Sequence, residues 1–206
     1  SQNHDAVLVT VVASSGSTPR GAGARMLITK EGRLAGTIGG GAVEYRSQQL
    51  AQTVLQQKSS RLEYFQLHKN QVQDLGMICG GDVNVYFQYI PAGDPKCLAL
   101  TEHIDSLYSQ GEQSWLITDI TQGHQGGLAV YSKKSGLFGI DIPSGIISQL
   151  NSRPARHQDG QNFYYCEKLI QAGTVYIFGG GHVAQKLVPA LSAIHFRCVV
   201  LEDREE

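Results

Sequence analysis

Apolar positions fall into short blocks along this chain, and the spacing inside each block assigns it to a strand or a helix. Residues 6–14 (AVLVTVVAS) are a continuous, largely β-branched run, which predicts a buried strand. The run breaks at residues 15–23, a loop of Ser, Gly, Thr, Pro and Arg20 built from types that tolerate unusual backbone angles. Residues 25–29 and 33–38 read as two more strands, with Lys30, Glu31 and Gly32 as the tight turn between them. After Gly39, Gly40 and Gly41, the apolar positions Ala42, Val43, Leu50, Ala51, Val54 and Leu55 recur at helical spacing and predict an amphipathic helix over 42–57. Strands follow at 61–67 and 82–90, and Pro95 fits the first turn of a helix running to residue 110.

Residues 114–120, 127–131 and 137–140 read as strands separated by Gly-containing turns. Residues 149–161 are polar, carry Pro154 and Gly160, and predict a linker. Beyond it, a strand at 174–178, a helix at 181–194 and a strand at 197–201 form the clearest supersecondary unit in the chain. No internal repeat and no low-complexity segment is visible. The pattern therefore predicts an α/β protein in three parts. Residues 1–150 form an N-terminal mixed α/β domain, 151–173 a linker and connecting segment, and 174–206 the first βαβ of an incomplete Rossmann-like dinucleotide-binding domain. A dinucleotide fold normally joins two βαβαβ halves, so this reading expects a chain shortened at its C-terminal side.

Composition narrows the function classes. Among 206 residues, 17 Lys+Arg stand against 18 Asp+Glu, a net charge of −1 that gives no electrostatic footprint for nucleic acid. A hydrophobic content of 41% with 17% charge excludes a disordered chain. No apolar run reaches the ~18–20 residues of a membrane-spanning helix, and no secretory signal is recognised at the start. Cys79, Cys97, Cys166 and Cys198 are scattered without zinc or disulfide spacing, so the expected compartment is a reducing cytoplasm. Glycine, at 24 residues, exceeds the ordinary ~7%, and its clusters hold the candidate chemistry.

The segment Gly179-Gly180-Gly181-His182-Val183-Ala184 satisfies G-x-G-x-x-A between a predicted strand and a predicted helix. In that pattern the first Gly makes the turn, the second admits a pyrophosphate to the backbone, and Ala184 lets helix and strand pack closely. An acid about 20 positions on would hold the ribose hydroxyls. Glu202 is favoured over Asp203 because it comes first after the apolar run, and Arg204 beside them leaves NAD and NADP both open. His182 lines the cofactor crevice or caps the loop. Gly39-Gly40-Gly41 is read with equal weight as an anion-binding nest or a steric turn. Glu44 suits the first helical turn in either case, and Arg20 is a bidentate gripper of phosphate or carboxylate or a solvated loop residue. Cys79, before Gly80 and Gly81, is an activated thiol or soft ligand, or an inert buried residue. Cys97, Cys166 and Cys198 are most simply core. The sequence shows no metal-ligand spacing, no nucleophile elbow, no phosphate-loop lysine and no catalytic triad.

Taken together, Val11-Val12, Gly16-Ser17-Thr18-Pro19-Arg20, Gly23-Ala24-Arg25-Met26-Leu27 and Gly39-Gly40-Gly41-Ala42-Val43-Glu44 resemble the N-terminal domain of the XdhC/CoxI family. Gly76-Met77-Ile78-Cys79-Gly80-Gly81-Asp82-Val83 resembles its internal Cys-Gly-Gly loop. Phe178 to Gln185, with Leu201-Glu202-Asp203-Arg204, resembles the start of its C-terminal Rossmann domain. The resemblance implies a xanthine dehydrogenase accessory factor. Such a factor binds the molybdenum cofactor, supports its sulfuration by a cysteine desulfurase, and delivers it to a molybdenum hydroxylase apoenzyme. It implies a chaperone more than a catalyst, with the cofactor contacts at Arg20, Gly39–Gly41, Glu44 and Cys79–Gly81. Two departures stand out: Ala42 occupies a position where the family often has Cys, and the family's Rossmann domain continues well beyond Glu206. A homodimer is expected because an incomplete parallel sheet has an edge to cover. The competing readings are an NAD(P)-dependent oxidoreductase and a nucleotide-sensing regulatory module, both built on residues 179–184.

Overall fold

A computed structural model describes residues 4–16, 20–66, 81–123, 126–169, 173–194 and 196–203, in two units, Ser1–Leu169 and Ile170–Glu206. The first unit is built on two five-stranded antiparallel sheets. Sheet A contains β1 (Ala6–Gly16), β2 (Arg25–Thr29), β3 (Gly32–Thr37), β4 (Arg61–Gln66) and β5 (Gly81–Ile90), in the order β3-β2-β1-β5-β4. Sheet B contains β6 (Ser114–Asp119), β7 (Leu128–Ser132), β8 (Gly136–Gly139), β9 (Ala155–Asp159) and β10 (Asn162–Leu169), in the order β8-β7-β6-β10-β9. Among the described residues, the helices of this unit are α1 (Gly41–Gln57), α2 (Pro95–Ser109) and the single turn α3 (Ser144–Ile147).

The two sheets are one topology used twice. Each is a three-stranded meander, then a helix, then two antiparallel strands of which the second returns beside the first strand of the meander. The register makes the equivalence residue by residue: Gly36 pairs with Met26, and Gly139 with Ala129. A Cβ at either glycine would lie 2.3 Å from a carbonyl oxygen, of Arg25 or of Leu128, and both have positive φ, 75° and 117°. Five positions on, Gly41 opens α1 and Ser144 opens α3. The sequence hides this repeat because what the halves share is a backbone constraint, while their side chains have diverged.

α1 forms because Val43, Ser47, Ala51 and Val54 make one buried stripe with a Gln-rich outer face, and Lys58 closes it in the left-handed region at φ 51°. The stripe packs on Val7, Val9, Val11, Met26, Val85 and Phe87 of sheet A. Each fully buried side chain of this kind contributes roughly 1.5–3 kcal/mol. Ile146 of α3 covers Ile117, Ala129, Tyr164 and Cys166 on sheet B. Between the sheets, Val12 and Tyr86 meet Ile120 and Tyr165. Nearby, the Arg25 guanidinium on β2 pairs with the Glu167 carboxylate on β10. α2 starts at Pro95, its amides capped by Asp94, which accepts from the Lys96 N–H at 3.1 Å. Its Leu100 and Leu107 pack on Val130 of β7.

The linker expected over 151–173 is not one: this stretch contains β9 and β10, and the division between units falls between Leu169 and Ile170. β9 (Ala155-Arg156-His157-Gln158-Asp159) is an edge strand with no buried residue, so its composition is polar although its backbone is paired. Residues 114–120, 127–131 and 137–140 correspond to β6, β7 and β8 as expected. The second unit is the parallel pair β11 (Thr174–Phe178) and β12 (Arg197–Leu201), joined by α4 (His182–Ala193). Among its described apolar residues only Ala184 is buried, and Tyr176, Phe178, Val183 and Leu201 are exposed.

Candidate functional site

One end of sheet A collects several of the segments singled out in the sequence. β1 ends there at Gly16, the Arg20 loop leads from it into β2, β3 runs into Gly39–Gly41, and β5 begins at Gly81. Through the pairs Thr37–Arg25, Arg25–Thr10 and Thr10–Tyr86, Thr37 is level with Tyr86 across the sheet. Gly81 lies five residues further along β5, a rise of roughly 17 Å. These segments thus leave the same end of the sheet, with Gly81 five residues beyond the level of Thr37. Cys79 and Gly80 lie outside the described residues, as do Ser17, Thr18 and Pro19.

The glycine loop is built by its own glutamate. Gly39, Gly40 and Gly41 all have positive φ, at 121°, 74° and 62°, which side-chain-bearing residues rarely adopt. Glu44, only 6% exposed, points back into the turn. Its Oε2 accepts from the Ile38 N–H at 3.0 Å, from the Gly40 N–H at 3.0 Å, and from the Thr37 hydroxyl. Its Oε1 accepts from the Arg33 guanidinium, while the Gly39 N–H donates to Thr37 Oγ1 at 3.1 Å. Burial opposes ionisation of Glu44, but the hydrogen bonds from Thr37, Gly40 and Ile38 and the nearby Arg33 outweigh it and hold the carboxyl below its ordinary range.

This changes the anion-nest reading. The amides of Gly39 and Gly40 are spent inside the loop, so they are not donors for a ligand in this arrangement. What the loop offers outward is the first turn of α1, which no side chain caps, and a face over Gly40 where no described atom lies within 4 Å of an added Cβ. Arg20 is exposed in a loop whose base is fixed to β1 by the Val11 N–H to Ala24 C=O and Gly23 N–H to Val11 C=O bonds, both 2.9 Å. Thr37 and Arg33 escaped the sequence reading. Their signal was the position of Thr37 just before three glycines, with an acid in the first helical turn to receive it.

In the second unit, Gly179 turns the chain at φ 95° and donates its N–H to the Leu201 carbonyl at 2.7 Å. Gly181 precedes α4, which no side chain caps, so His182 does not cap the loop and stands exposed as the first helical residue. Ala184, in the first turn of α4, is buried. Glu202 folds toward the glycine turn, its Oε2 accepting from the Gly180 N–H at 2.6 Å and its Oε1 from the Asp203 N–H at 3.1 Å. The acid and the glycines chosen from spacing are therefore in contact.

Of the cysteines, Cys166 is core, its thiol pushed up to about 12 by burial. Cys97 is only half-buried and lines a cleft instead of the core, and Cys198 is half-buried on β12. Among the described residues, no group of three or more His, Cys, Asp or Glu is placed to hold a metal, and no helix is long and apolar enough to cross a membrane.

Comparison with known proteins adds the following. The uncharacterized protein YqeB of Escherichia coli is 36% identical over 85 residues, which is 41% of this chain and 16% of that protein. A solved structure described as a xanthine dehydrogenase from Bacillus halodurans shares the fold with a TM-score of 0.70 at 23% identity, over 96% of this chain and 58% of the other. The chain thus spans less than two thirds of either relative. Residues 1–66 match the model of the XdhC and CoxI family, so this segment, from β1 through the glycine loop to β4, bears the family signature that its motifs resemble.

Proposed function

We propose that this chain forms part of an accessory factor that binds the molybdenum cofactor and assists its maturation for a xanthine dehydrogenase-type hydroxylase. The observation that carries the reading is the Glu44-pinned glycine loop beside the Arg20 loop, both inside the segment that matches the XdhC and CoxI family. The cargo is a pterin bearing phosphate, dithiolene and molybdate, and is strongly anionic. The Arg20 guanidinium suits such a group, and the open face over Gly40 leaves room for it beside the first turn of α1. Ala42 provides no thiolate, so the proposed grip is donor-based, which suits a carrier that must release what it holds.

In this reading a cysteine desulfurase supplies sulfur, the hydroxylase apoenzyme receives the product, and the factor works as a homodimer in the cytoplasm. The chain's own residues bind and position the cargo. Mixed anaerobically with released cofactor, the protein should co-elute with molybdenum and pterin. Arg20→Ala should weaken that retention several-fold, whereas no retention by the wild type would overturn the proposal. A second reading is favoured by one contact, that of Glu202 with the Gly180 amide: residues 179–184 bind a dinucleotide on a Rossmann-like unit. Gly181→Val should then abolish NAD(P) binding in titration calorimetry, and an unchanged isotherm would refute it.

A further inference from the structure

We propose that β10 of sheet B sets the position of the Arg20 loop of sheet A, with Glu167 and Tyr165 as positioning residues for the Arg20 guanidinium. That Arg20 then grips an anionic cofactor rests on the function proposed above; that sheet B holds its loop does not. Tyr165 and Glu167 alternate with Cys166 along β10. Cys166 belongs to the core of sheet B, while Tyr165 meets Val12 and Tyr86 of sheet A.

The internal repeat supplies the comparison. Val9 pairs with Met26 and Phe87, and Ile117 pairs with Ala129 and Cys166, so these two sets are equivalent. Tyr86, one residue before Phe87, is therefore the equivalent of Tyr165, and they pair with Thr10 and Thr118. Gly23 and Gly126, three residues before Met26 and Ala129, are equivalent as well. Each tyrosine is fully buried and lies against the glycine of the other sheet. A Cβ on Gly126 would overlap the Tyr86 hydroxyl, and one on Gly23 would come 3.6 Å from the Tyr165 hydroxyl. Each sheet thus clasps the loop that joins the first two strands of the other.

The two clasps differ in charge. At Gly23, Oε2 of Glu167 lies 3.0 Å from the same Cβ position and accepts from the Tyr165 hydroxyl at 3.4 Å, while Oε1 pairs with the Arg25 guanidinium. The equivalents of Arg25 and Glu167 are Leu128 and Gln88, so the other clasp closes with a neutral pair. Replacing a buried ion pair by well-packed neutral residues is often neutral in stability, because desolvation offsets the attraction. The second half carries out that replacement within the same topology. What the ion pair adds beside Gly23 is direction, since a carboxylate held between a guanidinium and a hydroxyl limits where the backbone can lie. From Gly23 the chain is only three residues from Arg20. The charged clasp is on the loop that bears the proposed anion grip.

The test uses the full 206-residue chain and reads amide hydrogen exchange. Val11 and Gly23 report the base of the Arg20 loop through their bonds to Ala24 and Val11, and Asp119, bonded to Gly127, reports the equivalent place in sheet B. Arg25→Leu combined with Glu167→Gln copies the neutral pair of the other clasp. This double variant should unfold within about 5 °C of wild type. It should nonetheless exchange about ten-fold faster at Val11 and Gly23, with Asp119 unchanged. Tyr165→Phe should speed the same two amides about three-fold, and its mirror Tyr86→Phe should leave them at the wild-type rate. Mixed anaerobically with released molybdenum cofactor, the double variant should retain several-fold less molybdenum, and Tyr86→Phe as much as wild type. Exchange that rises equally at Val11, Gly23 and Asp119, or returns to wild type once Tm does, would mark a merely structural pair and overturn the proposal. So would full cofactor retention by the double variant. If the wild type retains no cofactor, the proposed function fails and the exchange pattern alone decides this inference. If the double variant does not fold, Tyr165→Phe against Tyr86→Phe decides it.

Discussion

Glu44→Gln tests whether one carboxylate holds the glycine loop together. The substitution keeps size and shape, but replaces an oxygen that faces the Ile38 and Gly40 amides and the Thr37 hydroxyl, or the one facing Arg33, with a donor or a neutral acceptor. Hydrogen bonds to a charged group contribute roughly 1.5–3 kcal/mol each, but four that share one carboxylate do not add. Breaking such a buried set, with Arg33 left opposite an amide, should cost about 3–5 kcal/mol. For a chain of this size that is a fall in Tm of roughly 6–20 °C, read by calorimetry or circular dichroism at pH 7. The pH dependence supplies a second check. Because the folded Glu44 carboxyl sits below the unfolded value of ~4.3, its stabilisation is present above that value and fades as pH falls through the folded pKa. The gap between wild type and variant should therefore narrow below about pH 4. A Tm at pH 7 within about 2 °C of wild type would refute the argument, since four donors on a buried carboxylate cannot be neutralised that cheaply.

Four further outcomes follow from the packing. Gly36→Ala and Gly139→Ala place a Cβ 2.3 Å from a carbonyl oxygen at positive φ and should each lower the urea midpoint by the equivalent of about 3 kcal/mol or more. Gly32→Ala, at φ 116° with nothing within 4 Å, should cost only about 1–2 kcal/mol. Glu167→Leu leaves the largely buried Arg25 without its partner and should cost about 3–5 kcal/mol, much of it recovered by adding Arg25→Met in a double-mutant cycle. The Cys97 thiol, raised to about 11 by burial and by Asp94, should react with iodoacetamide at pH 8 roughly a hundred-fold more slowly than an ordinary thiol, measured by peptide mass spectrometry.

Most elements of the first sheet were legible because their residues obey one period at a time. The β-branched run in β1 and the stripe from Val43 to Val54 each announce a strand or helix buried against a partner. β9 and β10 were not legible as a pair. β9 is polar because it is an exposed edge, and β10 was masked by its attachment to that polar stretch, although Phe163, Tyr164, Tyr165 and Cys166 are a strand-like run with a buried core. The candidate site was legible as far as glycine conformation goes, since positive φ leaves few alternatives to Gly. Which amides of the loop remain available was not legible.

The sequence by itself determined where the chain turns, which faces are apolar, and that a glycine turn leads into a helix in each unit, with Glu44 and Glu202 as candidate acids nearby. Those are local properties, fixed by side-chain size, period and backbone freedom. Tertiary structure decided everything that depends on which strands pair. It set the order β3-β2-β1-β5-β4 and its repetition in sheet B, and it joined Arg25 to Glu167 across the two. It spent the Gly39 and Gly40 amides on the protein itself, and lined one cleft with Lys58, Gln88, Cys97 and Asp141 from four separate segments. No local rule relates those residues, because pairing of distant strands is chosen by the burial of whole sheets, and the pattern within any one strand is compatible with many such choices.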